Sequence, residues 1–244
     1  MGTTVYMDRR AGVKKQGRLT VLVVALLAGG LACERAETPR LEEPPAASPE
    51  GEGSILPRIE DPAEEQALAT SGVRAHRDGY VLRLETSAGW VDIEDAPEEG
   101  SPTVFFSYRD FYGDVGFYLL EAVYYEGGNF VLVSAKDGAL THILGEPVFS
   151  ADRSRFLSVS MDLEAGYSPT ALQVWRVDEA GLVKEYEYYP EAWGPSDPEW
   201  VTDGEVAFTR NVLTFDDEDV PYAQTRARLL RVDDAWTLVA GDDE

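Results

Sequence analysis

From residue 72 onward the chain alternates short runs of aromatic and β-branched residues with breaks rich in Gly, Asp, Pro and Ser. Strands joined by turns leave that pattern. The runs 80–86 and 90–94 flank Ser87-Ala88-Gly89 and predict a hairpin. The runs 103–108 and 117–125 pair across a Gly-Asp loop, and 130–135 and 140–144 flank Lys136-Asp137-Gly138, a strong turn signal. Further strands are expected at 148–150, 155–161, 172–177 and 182–188, then at 199–201, 205–210, 226–232 and 236–239. No window keeps a 3.6-residue apolar period over a dozen residues, so the fold class is all-β and antiparallel.

Part of this pattern repeats. Pro147-Val-Phe-Ser-Ala-Asp152 and Pro198-Glu-Trp-Val-Thr-Asp203 align at an offset of 51, with proline, aromatic and aspartate in register. A strand follows each copy, then a loop, then a strand ending before Asp178 or Asp233. Units of about 40–50 residues built from antiparallel strands have the period of propeller blades. The motif resembles the WD-like repeats of bacterial β-propellers such as the Tol-system periplasmic proteins, whose usual core is Pro-x-Trp-Ser-Pro-Asp-Gly. This chain departs from it at Phe149, Ala151, Arg153 and Val201. The resemblance covers about 90 residues and implies fold, not activity. The expected architecture is a small or incomplete β-propeller-like array of antiparallel meanders, about four blade-like units over residues 72–244. Proline starts an edge-tolerant strand, the aromatic fills space between sheets, and Asp152 and Asp203 accept turn N–H groups. Residues 162–169 also resemble a segment of uncharacterised bacterial proteins.

The first 71 residues follow other rules. Bases cluster at Arg9, Arg10, Lys14, Lys15 and Arg18, a ten-residue run at 19–28 is apolar except for Thr20, and small residues precede Cys33. Residues 1–32 therefore read as a secretory signal, the apolar run being shorter than the roughly 20 residues a membrane span needs. Cys33 is the only cysteine, which excludes an intrachain disulfide. Its place resembles the lipobox of bacterial lipoproteins, although Gly30 stands where leucine is usual. The resemblance implies lipidation of Cys33 and a membrane anchor in a bacterial envelope, on its periplasmic or outer face. Residues 33–71 are rich in proline and acid and thin in apolar side chains, so an extended, disordered tether is expected. Within it Asp61 and Pro62 could open a short helix at 61–69.

Charge narrows the function. The net formal charge is −24, and without residues 1–32 it is 16 bases against 44 acids. Nucleic acid is excluded as an electrostatic partner. Two histidines, His76 and His142, and no spare cysteine speak against a zinc site, and no cofactor motif is present. Carboxylates and aromatics remain. Asp162, Glu164 and Tyr167 share one polar loop, and Asp216-Asp-Glu-Asp219 fill another. Tyr186, Tyr188, Tyr189, Trp193 and Trp200 crowd together, and Tyr108, Tyr112, Tyr124 and Tyr125 form a second cluster. Asp162, Glu164, Tyr167, Tyr186, Tyr188 and Trp193 are the candidate binding residues, since exposed aromatics beside carboxylates suit a protein or glycan partner. The alternative is a carboxylate-dependent hydrolase of envelope polysaccharide, which needs two carboxylates at a set separation.

Overall fold

The structure, a computed structural model, describes residues 55–72, 74–98, 103–214 and 222–240, all within one compact unit of residues 51–244. The expected signal, Cys33 and the first part of the expected tether lie outside the described residues. The elements are helix α1 (Pro62–Thr70) and fifteen strands: β1 (Ala75–Asp78), β2 (Val81–Thr86), β3 (Gly89–Glu94), β4 (Val104–Tyr112), β5 (Phe117–Tyr124), β6 (Gly128–Ser134), β7 (Leu140–Ile143), β8 (Val148–Phe149), β9 (Arg155–Ser160), β10 (Ala171–Asp178), β11 (Gly181–Tyr188), β12 (Gly194–Thr202), β13 (Glu205–Leu213), β14 (Tyr222–Val232) and β15 (Ala235–Ala240). They form four antiparallel meanders in chain order: β1–β3, β4–β7, β8–β11 and β12–β15.

The core lies between consecutive sheets. Leu82, Leu84 and Ile93 of the first sheet bury against Tyr118, Leu120, Val131 and Val133 of the second. Phe117, Leu119, Leu132 and Ile143, from the other face of the second sheet, meet Phe156 and Trp175 of the third. Leu157, Leu172 and Val174 then meet Val206, Phe208, Leu229 and Trp236 of the fourth. Both faces of the middle sheets are thus covered, which is why β5 and β10 read as nearly unbroken apolar runs. β2 alternates buried and exposed positions because one of its faces is solvated. Each large side chain so buried contributes about 1.5–3 kcal/mol.

The repeated motif couples neighbouring sheets. Phe149 packs back on Tyr112 of the second sheet, ring centroids 4.9 Å apart, while Trp200 donates Nε1–H to Val148 O of the third at 2.8 Å. Asp152 builds its turn as expected, accepting from Ser154 N at 2.9 Å and Ser150 Oγ at 2.7 Å. Between the third and fourth sheets Glu185 gathers Arg155 Nε at 2.8 Å, Arg176 Nε at 3.1 Å and Trp236 Nε1 at 3.1 Å.

One strand was unforeseen, and one expectation needs correction. First, β1 was not legible in the sequence. Ala-His-Arg-Asp holds one apolar residue, and the strand exists because it pairs with β2, Ala75 opposite Leu84 and Arg77 opposite Leu82. Second, the expected tether is folded from Ile55 on. Ile55 bridges Glu98, and Asp61 caps α1 by accepting from Ala63 N at 3.0 Å and Glu64 N at 3.2 Å, with Pro62 in the first turn. Four charges fasten this segment. Arg58 reaches Asp95 and Glu64, each at 2.5 Å, and Arg77 reaches Glu64 at 2.7 Å and Asp95 at 3.5 Å. Arg58 and Arg77 also donate to Phe106 O, Asp95 accepts from Phe106 N at 2.8 Å, and Glu64 accepts from Tyr108 N at 2.9 Å. Phe106 and Tyr108 lie on β4, the edge strand of the second sheet. The quartet therefore seals a sheet edge that would otherwise be open to pairing with another chain.

Strand parity sorts the connections. A meander of four strands begins and ends at the same rim, so the described parts of the links between sheets (95–98 with 103, 144–147 and 189–193) share one rim. The mid-sheet connections at 79–80, 125–127 and 161–170 join them there, and β13 ends and β14 begins on the same rim. The opposite rim consists of short turns at 87–88, 113–116, 135–139, 150–154, 179–180, 203–204 and 233–234. The first sheet has only three strands, and α1 takes the place of the fourth. The segment leading into it lies at the link rim, where Leu56 N meets Pro97 O, and Ser71 after its last turn reaches Ala75 O at the turn rim.

Candidate functional site

The link rim is chemically one-sided. Apart from the segment leading into α1, whose Arg58 is paired with Glu64 and buried Asp95, its described connections contain no lysine or arginine, and they hold Glu98, Glu126, Glu146, Asp162, Glu164 and Glu191. The turn rim carries both signs: Lys136 lies in one turn, and Arg153 of another pairs with Asp114 at 2.9 Å. The link rim also presents aromatic surface, with Tyr125 90% exposed, Tyr167 58% and Tyr189 52%.

Asp162 organises the longest fully described connection of this rim. One carboxylate oxygen accepts from Ala165 N and Gly166 N, both at 3.0 Å. The other accepts from Tyr167 N at 2.7 Å and Ser168 N at 2.9 Å. These backbone donors, led by Ser168 and Gly166, hold its carboxyl below the usual carboxylate range. Asp162 thus builds the loop, and both of its oxygens are engaged. Ser168 Oγ ties the loop to the 125–127 turn, donating to Gly128 O at 3.3 Å and accepting from Gly128 N at 3.4 Å. Gly127 next door has φ +82°, and a Cβ there would stand 2.7 Å from Ser168 Oγ and 3.1 Å from Tyr167 O. Only glycine fits this approach. Glu164, on the same loop, accepts from Tyr222 OH of β14 at 2.5 Å, and that bond raises the Tyr222 hydroxyl's pKa. The loop therefore joins three sheets and holds Tyr167 outward.

The second group of candidates divides. Trp193 is buried, stacked between Tyr188 at 6.0 Å and Phe208 at 5.9 Å, with the Arg210 guanidinium 5.2 Å from its ring centroid. It serves as core between the third and fourth sheets. Tyr186 packs against the same core, and burial pushes its hydroxyl pKa up. Tyr188 keeps an exposed edge beside Tyr189, whose hydroxyl donates to Glu187 at 3.0 Å. Of the other tyrosine cluster, Tyr108 is buried, its pKa pushed up to about 12 by desolvation, and Tyr125 is the exposed member. Tyr125 and Tyr189 join the site through their rim position, which sequence spacing alone does not report.

The remaining chemistry is dispersed. His142 lies 3.5 Å from Asn129 Oδ1, and His76 packs edge-on to Trp90. Among the described residues no group of three or more His, Cys, Asp or Glu could hold a metal ion. A cleft of about 520 Å³ opens between turns of the first three sheets, with Asp137, Asp178 and Glu179 on its lining. Two of these are turn builders: Asp137 accepts from Ala139 N, and Asp178 accepts from Ala180 N and Arg176. Residues 216–219 lie outside the described residues, and no described helix is long and apolar enough to cross a membrane. The chain matches no family model, no curated protein and no solved structure.

Proposed function

We propose that this chain is a lipid-anchored, non-enzymatic binding module of a bacterial cell envelope, recognising an envelope protein or glycan, and that its domain is an open array of blade-like meanders. The array reading is supported by consecutive stacking and by the two outermost faces. These carry the ion pairs Arg83–Asp92, Arg226–Glu199 and Arg228–Glu205, whose burial in a closed ring would strip water from charged groups. Among the described residues, polar bonds join the fourth sheet to the third through Trp200 to Val148, Trp236 to Glu185 and Tyr222 to Glu164.

The recognition reading rests on the link rim, where described connections without a base present exposed tyrosines among carboxylates. Such a field attracts a cationic partner and raises its rate of encounter. Tyrosine adds contact area at a low cost in side-chain entropy. Lipid on Cys33 supplies the anchor, because burying acyl methylenes contributes about 0.8 kcal/mol each. Two experiments test this. Cys33→Ala moves the protein from the membrane to the soluble fraction. Affinity capture from envelope extract recovers a partner at low salt that is lost at high salt and lost on Tyr125→Ala/Tyr167→Ala. A capture that is insensitive to both salt and the tyrosines refutes the rim.

A further inference from the structure

We propose that the outer face of the first sheet is a saccharide-binding platform centred on Trp90. The first sheet buries Leu82, Leu84 and Ile93 on its inner side, so the alternate residues His76, Arg83, Trp90 and Asp92 point outward. His76 on β1 pairs with Arg83 on β2, which pairs with Asp92 on β3, while Trp90 lies opposite Glu85. His76 and Trp90 meet across β2 in an edge contact, centroids 5.3 Å apart at 73°. Beside them Arg83 Nε contacts Asp92 Oδ1 at 3.1 Å. The four line a shallow basin of about 520 Å³, within the roughly 300–1,000 Å³ range of small-molecule sites.

The occupant follows from this chemistry. Trp90 is 52% exposed, and its neighbours on the face are charged. Protein interfaces concentrate apolar area at a core from which charges are depleted, so a lone indole flanked by Arg83, Glu85 and Asp92 fits such a partner poorly. A pyranose fits well. Its axial C–H face is apolar and matches the electron-rich face of an indole, and its rim of neighbouring hydroxyls needs donors and acceptors side by side. Arg83 and Asp92 supply both. Their closest approach is through Nε, and among the described residues no hydrogen bond engages the terminal guanidinium nitrogens or the second Asp92 oxygen. Both side chains stand on paired strands, and His76 steadies the indole, so little freedom is lost on binding. This surface is separate from the tyrosine rim, and the inference stands or falls independently of it.

The test is titration of the full chain in detergent with chitohexaose and with cellohexaose, followed calorimetrically. Saturable binding of at least one sugar is expected. Trp90→Ala should weaken it at least ~10-fold, about 1.4 kcal/mol, and Asp92→Ala should weaken it about 3-fold or more. Trp90 belongs to no core cluster, so the variant should keep the wild-type circular dichroism and melting temperature. Absence of binding to both sugars, or binding unaltered by Trp90→Ala, overturns the proposal. A wild-type dimer that binds no sugar and dissociates on Trp90→Ala overturns it in favour of self-association through this face.

Discussion

Replacing Asp95 with alanine probes the quartet that seals β4. The Asp95 side chain is fully buried and meets Arg58, Arg77 and the Phe106 N–H. Its removal leaves two guanidiniums with Glu64 as their one remaining carboxylate partner and orphans one backbone donor. Removing one partner of a buried ion pair costs about 3–5 kcal/mol, because the other charge stays desolvated, and an unpaired buried N–H alone costs about 1–3 kcal/mol. These overlap, so Asp95→Ala should destabilise by about 3–5 kcal/mol, a fall in Tm of roughly 6–20 °C for a domain of this size. Arg58→Leu should cost less, since Arg77 still faces both acids. The double variant should cost less than the sum, with a coupling of about 1 kcal/mol or more. Urea unfolding of wild type, both singles and the double measures all three quantities. An Asp95→Ala variant within about 1 kcal/mol of wild type, or strict additivity, would falsify the quartet as a coupled unit.

Three further outcomes follow from the geometry. Asp162→Ala frees four backbone N–H groups, so amide exchange at 165–168 should speed up about 10-fold or more with a modest fall in Tm; unchanged exchange contradicts its role. Asp152 and Asp162 have carboxyl pKa values held below the ordinary 3.8 by backbone and hydroxyl donors. Their stabilisation is complete above that value and is lost as pH falls through the folded values, so a melting temperature flat from about pH 5 to about pH 2 is the disproving result. Trp200→Phe should cost about 1 kcal/mol for the lost bond to Val148 O, and Trp200→Ala about 3 kcal/mol; equal melting temperatures for the two would separate Trp200 from inter-sheet packing.

The strands were legible because apolar runs and turn residues agree locally. Fourteen of the fifteen strands overlap runs visible in the sequence. What escaped is what tertiary contacts impose. β1 owes its existence to β2, and its inward Arg77 is tolerated only because Glu64 and Asp95 meet it. β12 starts at Gly194, five residues before the apolar run, across an irregular register near Asp197, a residue with φ +48°. The site was half legible. The 162–169 loop stands out as an insertion that the repeat does not need, yet nothing local reveals that the Asp162 carboxylate turns inward on its own backbone. Trp193 and Tyr188 lie in one aromatic cluster, and only packing distinguishes the buried ring from the half-exposed one.

The order in which the edge of β4 is covered has a consequence for biosynthesis. Arg58, Glu64, Arg77 and Asp95 all precede Phe106 and Tyr108 in the chain. A ribosome or a translocation channel releasing this protein from its N-terminus delivers the cover before the edge it protects. Each later sheet then finds its packing partner already emerged, because every apolar cluster joins sequence neighbours. Vectorial emergence therefore keeps this edge from waiting unpaired, whereas refolding the whole chain from denaturant gives no such priority, and aggregation should be worse on that route.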